Sequence, residues 1–299
     1  MFRRLVLIWP AIIRPALIVS AVLLLGACSA VRLAYSNLPE VGYWWIDGYA
    51  DLGETQSLQL RNDLSRLHDW HRSNELPRIA DLLRQIQRDA LADTSATDLC
   101  RIYDQLREHI DVVTVQAEPA ALTLAMSLTP AQIQHIEGKF TTRNTQWRRD
   151  WASGDRAKRL EKRLVSAIDR AEQFYGTLDD KQRAVLQAGL ARSSWDPQRS
   201  FPERLRRQQD LLQTLRTISG AEGTARPTAQ QSANLLRSYL RRTMESPDPA
   251  FRAYAQSTIQ ENCITYAQLH NSTSAEQRAR AVARIAAYER DARELAGQP

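Results

Sequence analysis

Leu128-Thr129-Pro130-Ala131-Gln132 opens the stretch that decides the fold. Thr129 has the short hydroxyl side chain of a helix N-cap. Pro130 suits the first helical position, where no N–H is needed, and Gln132 completes a capping box three residues on. Behind it, Ile133, Ile136, Phe140, Trp147 and Trp151 fall on one face of a helix, with Asn144 at the intervening turn. Asp179-Asp180-Lys181-Gln182 and Ser274-Ala275-Glu276-Gln277 repeat the layout, Ser95-Ala96-Thr97-Asp98 is a looser version, and Asp196-Pro197 and Asp248-Pro249 read as cap plus first helical residue.

Between these starts the apolar period stays near 3.6. Leu60, Leu64 and Leu67 begin one stripe, which Ile79, Leu82, Leu83 and Ile86 continue past a break expected at Pro77. Leu99, Tyr103, Leu106, Ile110 and Val113 form another, and Phe251, Tyr254, Ile259, Cys263 and Tyr266 a late one. No window alternates β-branched residues in the manner of a strand. The pattern predicts helices near 38–50, 54–73, 75–91, 96–127 (with a bend at Pro119), 130–152, 155–176, 180–192, 197–219, 228–245, 249–270 and 275–296. The expected fold class is therefore all-α, a multi-helix bundle of about ten helices. Ser219 to Pro227 is the clearest linker. It divides an expected N-terminal helical bundle, 28–219, from a C-terminal helical part, 228–299, packed on the first. The tail after Glu294 is expected to fray.

Composition agrees with a packed protein. The chain has 299 residues, 43% hydrophobic, 25% charged and 7% aromatic, which excludes wholesale disorder. With 11 Gly and 12 Pro it is neither collagen-like nor of low complexity.

Residues 1–27 stand apart from the fold. Arg3, Arg4 and Arg14 form a basic region, and Ala16 to Leu25 is an unbroken apolar run. A spanning helix needs about 20 such residues. Pro10, Arg14 and Pro15 interrupt any longer run, so the segment reads as a secretory signal peptide. Leu25-Gly26-Ala27-Cys28 resembles the lipobox of bacterial lipoproteins. That resemblance implies cleavage before Cys28 and attachment of lipids, palmitate among them, to the Cys28 sulfur and amine. Ser29, where an Asp would favour inner-membrane retention, points to the outer membrane, on its periplasmic face. Several acyl chains suffice for stable anchoring. Removing the signal lowers the net charge from +6 to +3, since it carries three arginines and no acid.

Two cysteines remain, Cys100 and Cys263. In the oxidising compartment implied by the signal such a pair is expected to form a disulfide; two buried thiols are the alternative.

Few of the chain's motifs carry recognisable chemistry. There is no GxGxxG, P-loop, GxSxG, HExxH or CxxC in the mature chain. No catalytic residue and no cofactor is indicated. His68, His71 and Glu75 would share a face of an unbroken helix in a spacing that suits zinc, but Pro77 argues for a break, and no metal site is assigned. Arg148, Arg149, Arg156, Lys158, Arg159, Lys162 and Arg163 form a basic strip with Trp147 and Trp151 inside it; Arg199, Arg204, Arg206 and Arg207 follow. Two readings fit the strip. One is a site for periplasmic anions, such as lipid phosphates, lipopolysaccharide or cell-wall carboxylates. The other is a solvated face laced by pairs such as Asp155 with Arg159. A nucleic-acid site would look similar, but the export signal removes that partner. Tyr43, Trp44, Trp45 and Tyr49 cluster shortly after the anchor. They fit either a knob docking the first helix on the bundle or an aromatic belt at the lipid headgroups. Asp47 in the same turn calls for an arginine partner.

Two resemblances add to this reading. Cys28 to Asn37, Tyr43-Trp-Trp-Ile-Asp-Gly-Tyr49, Trp70-His71-Arg72 with Leu76-Pro77, Leu128 to Gln132, Trp147-Arg-Arg-Asp-Trp151, Tyr175 to Gln182 and Leu269-His-Asn271 together resemble an uncharacterised family of proteobacterial lipoproteins, defined only as a domain of unknown function. The resemblance spans essentially the whole mature chain and implies an outer-membrane lipoprotein with no known activity. Locally, Leu128 to Gln132 matches the LTxxQ motif of small periplasmic stress chaperones; Leu178 to Gln182 departs at the Thr, and Thr273 to Gln277 at both of the first two positions.

The expected role is a lipid-anchored, non-enzymatic envelope protein with binding, chaperone-like or structural work in the periplasm. It would meet the membrane through its lipids, and an envelope protein, cell-wall material or lipopolysaccharide as partner. The competing class is an envelope enzyme acting on cell-wall glycan or lipid through a groove carboxylate. A raised-pKa carboxylate in a deep cleft separates the two. For the anchor, Cys28→Ala is expected to abolish incorporation of a radiolabelled lipid precursor; undiminished labelling would remove the assignment.

Overall fold

The computed structural model describes residues 31–221 and 225–297. Cys28 and the rest of the expected signal and lipid-attachment site lie outside them. The described residues are helical, without strands, as the apolar period predicts. After a helical stretch at 31–36, eleven α-helices follow among the described residues: α1 (Leu38–Ala50), α2 (Glu54–Trp70), α3 (Leu76–Asp89), α4 (Ala96–Ser127), α5 (Pro130–Trp147), α6 (Arg156–Tyr175), α7 (Asp180–Arg192), α8 (Pro197–Ser219), α9 (Ala229–Met244), α10 (Pro249–Asn271) and α11 (Ala275–Ala296). The starts are chemically marked as expected. The side chains of Ser95, Thr129, Asp179 and Ser274 each accept the backbone N–H three residues on, and Asp155, Asp196, Thr228 and Asp248 also cap. Each such cap is worth about 1 kcal/mol.

One boundary differs from the sequence reading. The chain does not break before Pro77. It passes through a π-helical turn, His71–Glu75, straight into α3, and Pro77 lies in the first turn of that helix. A missing N–H is tolerated there, so the proline marks a change of helical register, not an end. A second π-turn, Arg148–Ala152, ends α5.

The helix N-termini are joined by paired glutamines. Gln56 Oε1 accepts the Gly53 N–H at the start of α2, and Gln132 Oε1 accepts the Thr129 N–H at the start of α5. The two amides then bond each other (2.6 Å), while Gln56 Nε2 donates to Ser127 O and Gln132 Nε2 to Asp51 O. Gln182 and Gln277 do the same at α7 and α11. Their amides bond (2.6 Å), Gln182 Nε2 donates to Ser272 O and Gln277 Nε2 to Thr177 O. Ser127 and Ser272 each precede their capping glutamine by five residues, as do Asp51 and Thr177. The correspondence extends to helix packing. In one unit α1 packs on α2 and α5, and α2 on α4; in the other α6 packs on α7 and α11, and α7 on α10. The fold is an internal repeat of two four-helix units.

Each unit contains an insertion that packs on the other. α3, inserted in the first, lies along α11 of the second, where Leu76 and Ala80 bury against Ala292 and Leu295. α8 and α9, inserted in the second, lie on α4 and α5 of the first, where Leu212, Leu215, Ile218 and Leu236 share a core with Ala125, Ile133 and Ile136. The two helices on either side of the Ser219 to Pro227 linker, α8 and α9, pack on each other.

The repeats meet between α4 and α10, where Cys100 and Cys263 form a disulfide with Cα atoms 5.6 Å apart. α7 approaches α10 closely through Gly189, where an added Cβ would collide with the Thr265 side chain. Asp47 accepts the Leu52 backbone N–H, so its partner is the helix end and not the expected arginine. Replacing both Cys100 and Cys263 by Ser is expected to lower stability by about 2–5 kcal/mol in urea unfolding, with the helical circular-dichroism signal of the folded state retained.

Candidate functional site: a basic, tryptophan-walled cavity

A cavity of about 730 Å³ opens between the end of α5, α6, the start of α8 and α10. Its aromatic wall is built in two pieces. The π-turn after α5 carries Trp151, which meets Trp195 edge-on (centroids 6.2 Å apart). Trp147 at the end of α5 stacks on Phe201 of α8 at 5.2 Å. Trp195 sits in the α7–α8 connection, and the Asp196 cap holds the chain there. The Asp196 N–H donates to Tyr254 Oη (2.8 Å), and that hydroxyl donates to Asp196 O (3.1 Å).

Four arginines, Arg163, Arg170, Arg204 and Arg207, line the same space, against one carboxylate, Glu203. Arg163 is half-buried, lies over the Trp195 ring at 4.8 Å, and donates to Ser193 Oγ (3.2 Å). Burial pulls its guanidinium below the ordinary value, and only the more distant Tyr254 and Glu261 counter this. Arg204 Nε donates to Asn144 Oδ1 (2.8 Å), which Gln208 also reaches. Asn144, the polar break in the α5 stripe, is thus the residue that holds Arg204. Among the described residues, Arg163, Arg170 and Arg204 form no ion pair with a carboxylate. Positive charge held in such a cavity without a carboxylate in contact favours an anionic ligand.

Glu203 is 7% exposed and fully engaged. It accepts from Arg206 Nε and Nη2, Arg207 Nε and Ser246 Oγ. Burial pushes the carboxyl up, but the hydrogen bonds from the two arginines outweigh it, and the net result lies below the ordinary carboxylate value. Arg207 and Phe251 also line a neighbouring cavity of about 550 Å³ that reaches Cys100, Tyr103 and Arg107.

The expected basic strip is only partly assembled here. Of its seven residues, Arg163 lines the cavity. Arg148 lies over Phe201 (4.4 Å). Lys162 donates to Asp150 O and lies 5.5 Å over Trp151. Arg156 donates to Ala191 O and Arg159 to Gly154 O, while Arg149 and Lys158 are exposed. Asp155 accepts the Lys158 N–H as a cap, so the expected Asp155–Arg159 side-chain pair is replaced by local helix-end bonds. Trp195, Arg170, Asn262 and Tyr266 were not legible as site residues, because they come from three separate helices or loops.

The histidine set is divided among other tasks. His68 Nε2 donates to Tyr35 O (3.1 Å), and His71 Nδ1 lies 2.9 Å from Tyr35 Oη. Burial holds His71 below its ordinary value and pushes Tyr35 up to about 12. Glu75, 1% exposed, turns instead to His109 (2.7 Å) and Arg78 (2.8 Å). No group of three or more His, Cys, Asp or Glu side chains among the described residues is arranged to hold a metal ion.

Fold and site together define a helical-bundle protein with a cavity lined by arginine and aromatic side chains. The chain belongs to a family of unknown function (DUF6279), whose model matches residues 48–232, a stretch that includes the four cavity arginines and three cavity tryptophans. No curated protein and no solved structure matches it.

Because the folded Glu203 carboxyl lies below its unfolded value, its ionised form stabilises the fold. That contribution is complete above the unfolded carboxylate pKa of about 4.3 and is lost as pH falls through the folded value. Glu203→Gln is expected to cost about 1–3 kcal/mol at pH 7, with the difference from wild type shrinking below about pH 4. Chemical unfolding across pH 3–7 checks both the cost and its pH dependence.

Proposed function

We propose that this is a lipid-anchored protein of the bacterial outer membrane that binds an anionic, ring-bearing envelope ligand in the Arg163–Trp195 cavity. The ligand chemistry is a sugar ring carrying phosphate or carboxylate, as in lipopolysaccharide or cell-wall glycan. The observation that carries the reading is one cavity with three tryptophans and four arginines, whose single carboxylate is already satisfied by Arg206 and Arg207. Aromatic faces take the apolar faces of a sugar ring, and guanidinium groups take its oxyanions bidentately. The state of Glu203 supports binding over hydrolysis. A general acid needs a carboxyl held above its ordinary value, and Glu203 is held below it. The anchor rests on the Leu25 to Cys28 lipobox and the apolar run before it.

Titration calorimetry of the processed protein in detergent tests the site with two probes, glucosamine phosphate and a muramyl dipeptide. Binding of the first alone points to lipopolysaccharide-type phosphates, and of the second alone to cell-wall carboxylates. Arg163→Gln and Trp195→Ala are each expected to weaken the bound probe at least about tenfold, the loss of one charge-assisted or stacking contact, with helical content unchanged. Binding of neither probe, or binding indifferent to both substitutions, overturns the proposal.

A further inference from the structure

The first helix carries an exposed apolar face, bordered by Arg61, whose guanidinium pairs with Glu40 and lies 5.6 Å over the Trp44 ring. Leu38 is 49% exposed, Val41 57%, Trp44 60% and Trp45 66%. With exposed Gly48 they form one side of α1, at spacings of three, four and seven residues. The opposite side docks as a knob should. Tyr43 is 6% exposed and donates to Ser57 Oγ, Ala50 is buried, and Tyr49 packs on Phe140 at 5.8 Å. The aromatic cluster is therefore divided, tyrosines inward and tryptophans outward. A contiguous outward face of this kind marks an interaction surface.

The internal repeat provides a control for what a water-facing side looks like at this place. α1 and α6 occupy corresponding positions, and both end on a residue with positive φ, Asp51 and Gly176. The connection to the next N-cap is one residue longer in the second unit, Gly176 to Asp179 against Asp51 to Gly53, so the helices are matched from their own ends: Leu38, Val41, Trp44, Trp45 and Gly48 correspond to Arg163, Ser166, Asp169, Arg170 and Gln173. In the second unit that face is wholly polar, and three of its residues line the cavity. In the first unit the same face holds no charge and no hydrogen-bonding group beyond the indole N–H groups.

We propose that this face of α1 rests in the headgroup–acyl boundary of the bilayer, so that the protein meets its membrane as a surface and not only through a tether. The occupant follows from the direction of the chain. The face begins ten residues after Cys28, and the apolar run Ala16 to Leu25 immediately precedes that cysteine. The segment between is held on the bundle: Tyr35 by His68 and His71, and Arg32 by Asp291 and Glu294. A membrane-held residue 28 therefore keeps α1 near the bilayer surface. Exposed indoles are the side chains that partition to that depth, their N–H meeting headgroup oxygens. α1 has 13 residues, fewer than the about 20 a span needs, so the contact is a lateral one.

The proposal rests on the anchoring part of the reading above, and the test separates the two. Processed full-length protein is reconstituted into phosphatidylethanolamine–phosphatidylglycerol vesicles containing phospholipid brominated just below the headgroup. Flotation with the vesicles reports anchoring; quenching of tryptophan emission by bromine reports depth. The expected result is flotation of both wild type and Trp44→Phe/Trp45→Phe, with quenching in wild type falling to background in the double variant. Trp70, Trp147, Trp151 and Trp195 remain in that variant and report an intact bundle. Flotation without a quenched share assigned to Trp44 and Trp45 overturns the surface contact and leaves the anchor standing; failure to float overturns both. If the substitutions instead change the sedimentation mass in detergent, the face joins copies of the chain, and the bilayer assignment falls.

Discussion

A capping-box glutamine has one amide oxygen and two amide hydrogens, and here both ends are used. The oxygen serves the N-cap N–H of its own helix, and the amide hydrogens reach another chain segment. When two such glutamines face each other, each completes the other, as Gln56 does with Gln132 and Gln182 with Gln277. The pairing fixes two helix starts side by side and sets the angle at which two helical hairpins meet. Gln182 is 2% exposed, so its amide must be satisfied within the protein.

The exchange of insertions turns two such units into one body. α3 buries against α11, and α8 and α9 against α4 and α5, while Ala167, Ala171, Leu186 and Leu269 of α6, α7 and α10 form a core within the second unit. Polar contacts follow the same route: Arg84 and Gln87 of α3 meet Glu289 of α11, and Arg293 of α11 meets Asp81 of α3. The cavity is a consequence of this exchange. α8 brings Glu203, Arg204 and Arg207 from the second unit against Trp147 and Trp151 of the first, and α6 contributes Arg163 across the gap. The disulfide fixes α10, one wall of the site, to α4.

Repetition also shows where the two units have diverged in use. Corresponding faces of α1 and α6 have become apolar and cationic respectively. One is an outward surface of tryptophan and aliphatic residues; the other is a cavity wall of arginine and serine. The two helices hold the same place in the repeat, and they differ in length, in side-chain chemistry and in what stands opposite them.

The amino-acid sequence by itself determined the helices. A capping box satisfies the N–H groups of its own helix within four residues, and an apolar stripe repeats within one turn, so Thr129 with Gln132 and Ile133 with Ile136 could be read locally. The π-turn at His71–Glu75 escaped that reading, because Pro77 carries the same local signal whether a helix stops or shifts register. Tertiary structure alone decided the rest. Gln132 finds Gln56 across 76 positions, and Asn144 finds Arg204 across 60. Trp151 meets Trp195 only because α6 and α7 return the chain. Which of Arg148 to Arg163 would face a cavity depended on how α6 is rotated against α8 and α10, a quantity set by packing from both repeats. Charge runs along a helix surface occur on every side of it, and only the neighbouring helices determine which side becomes a site.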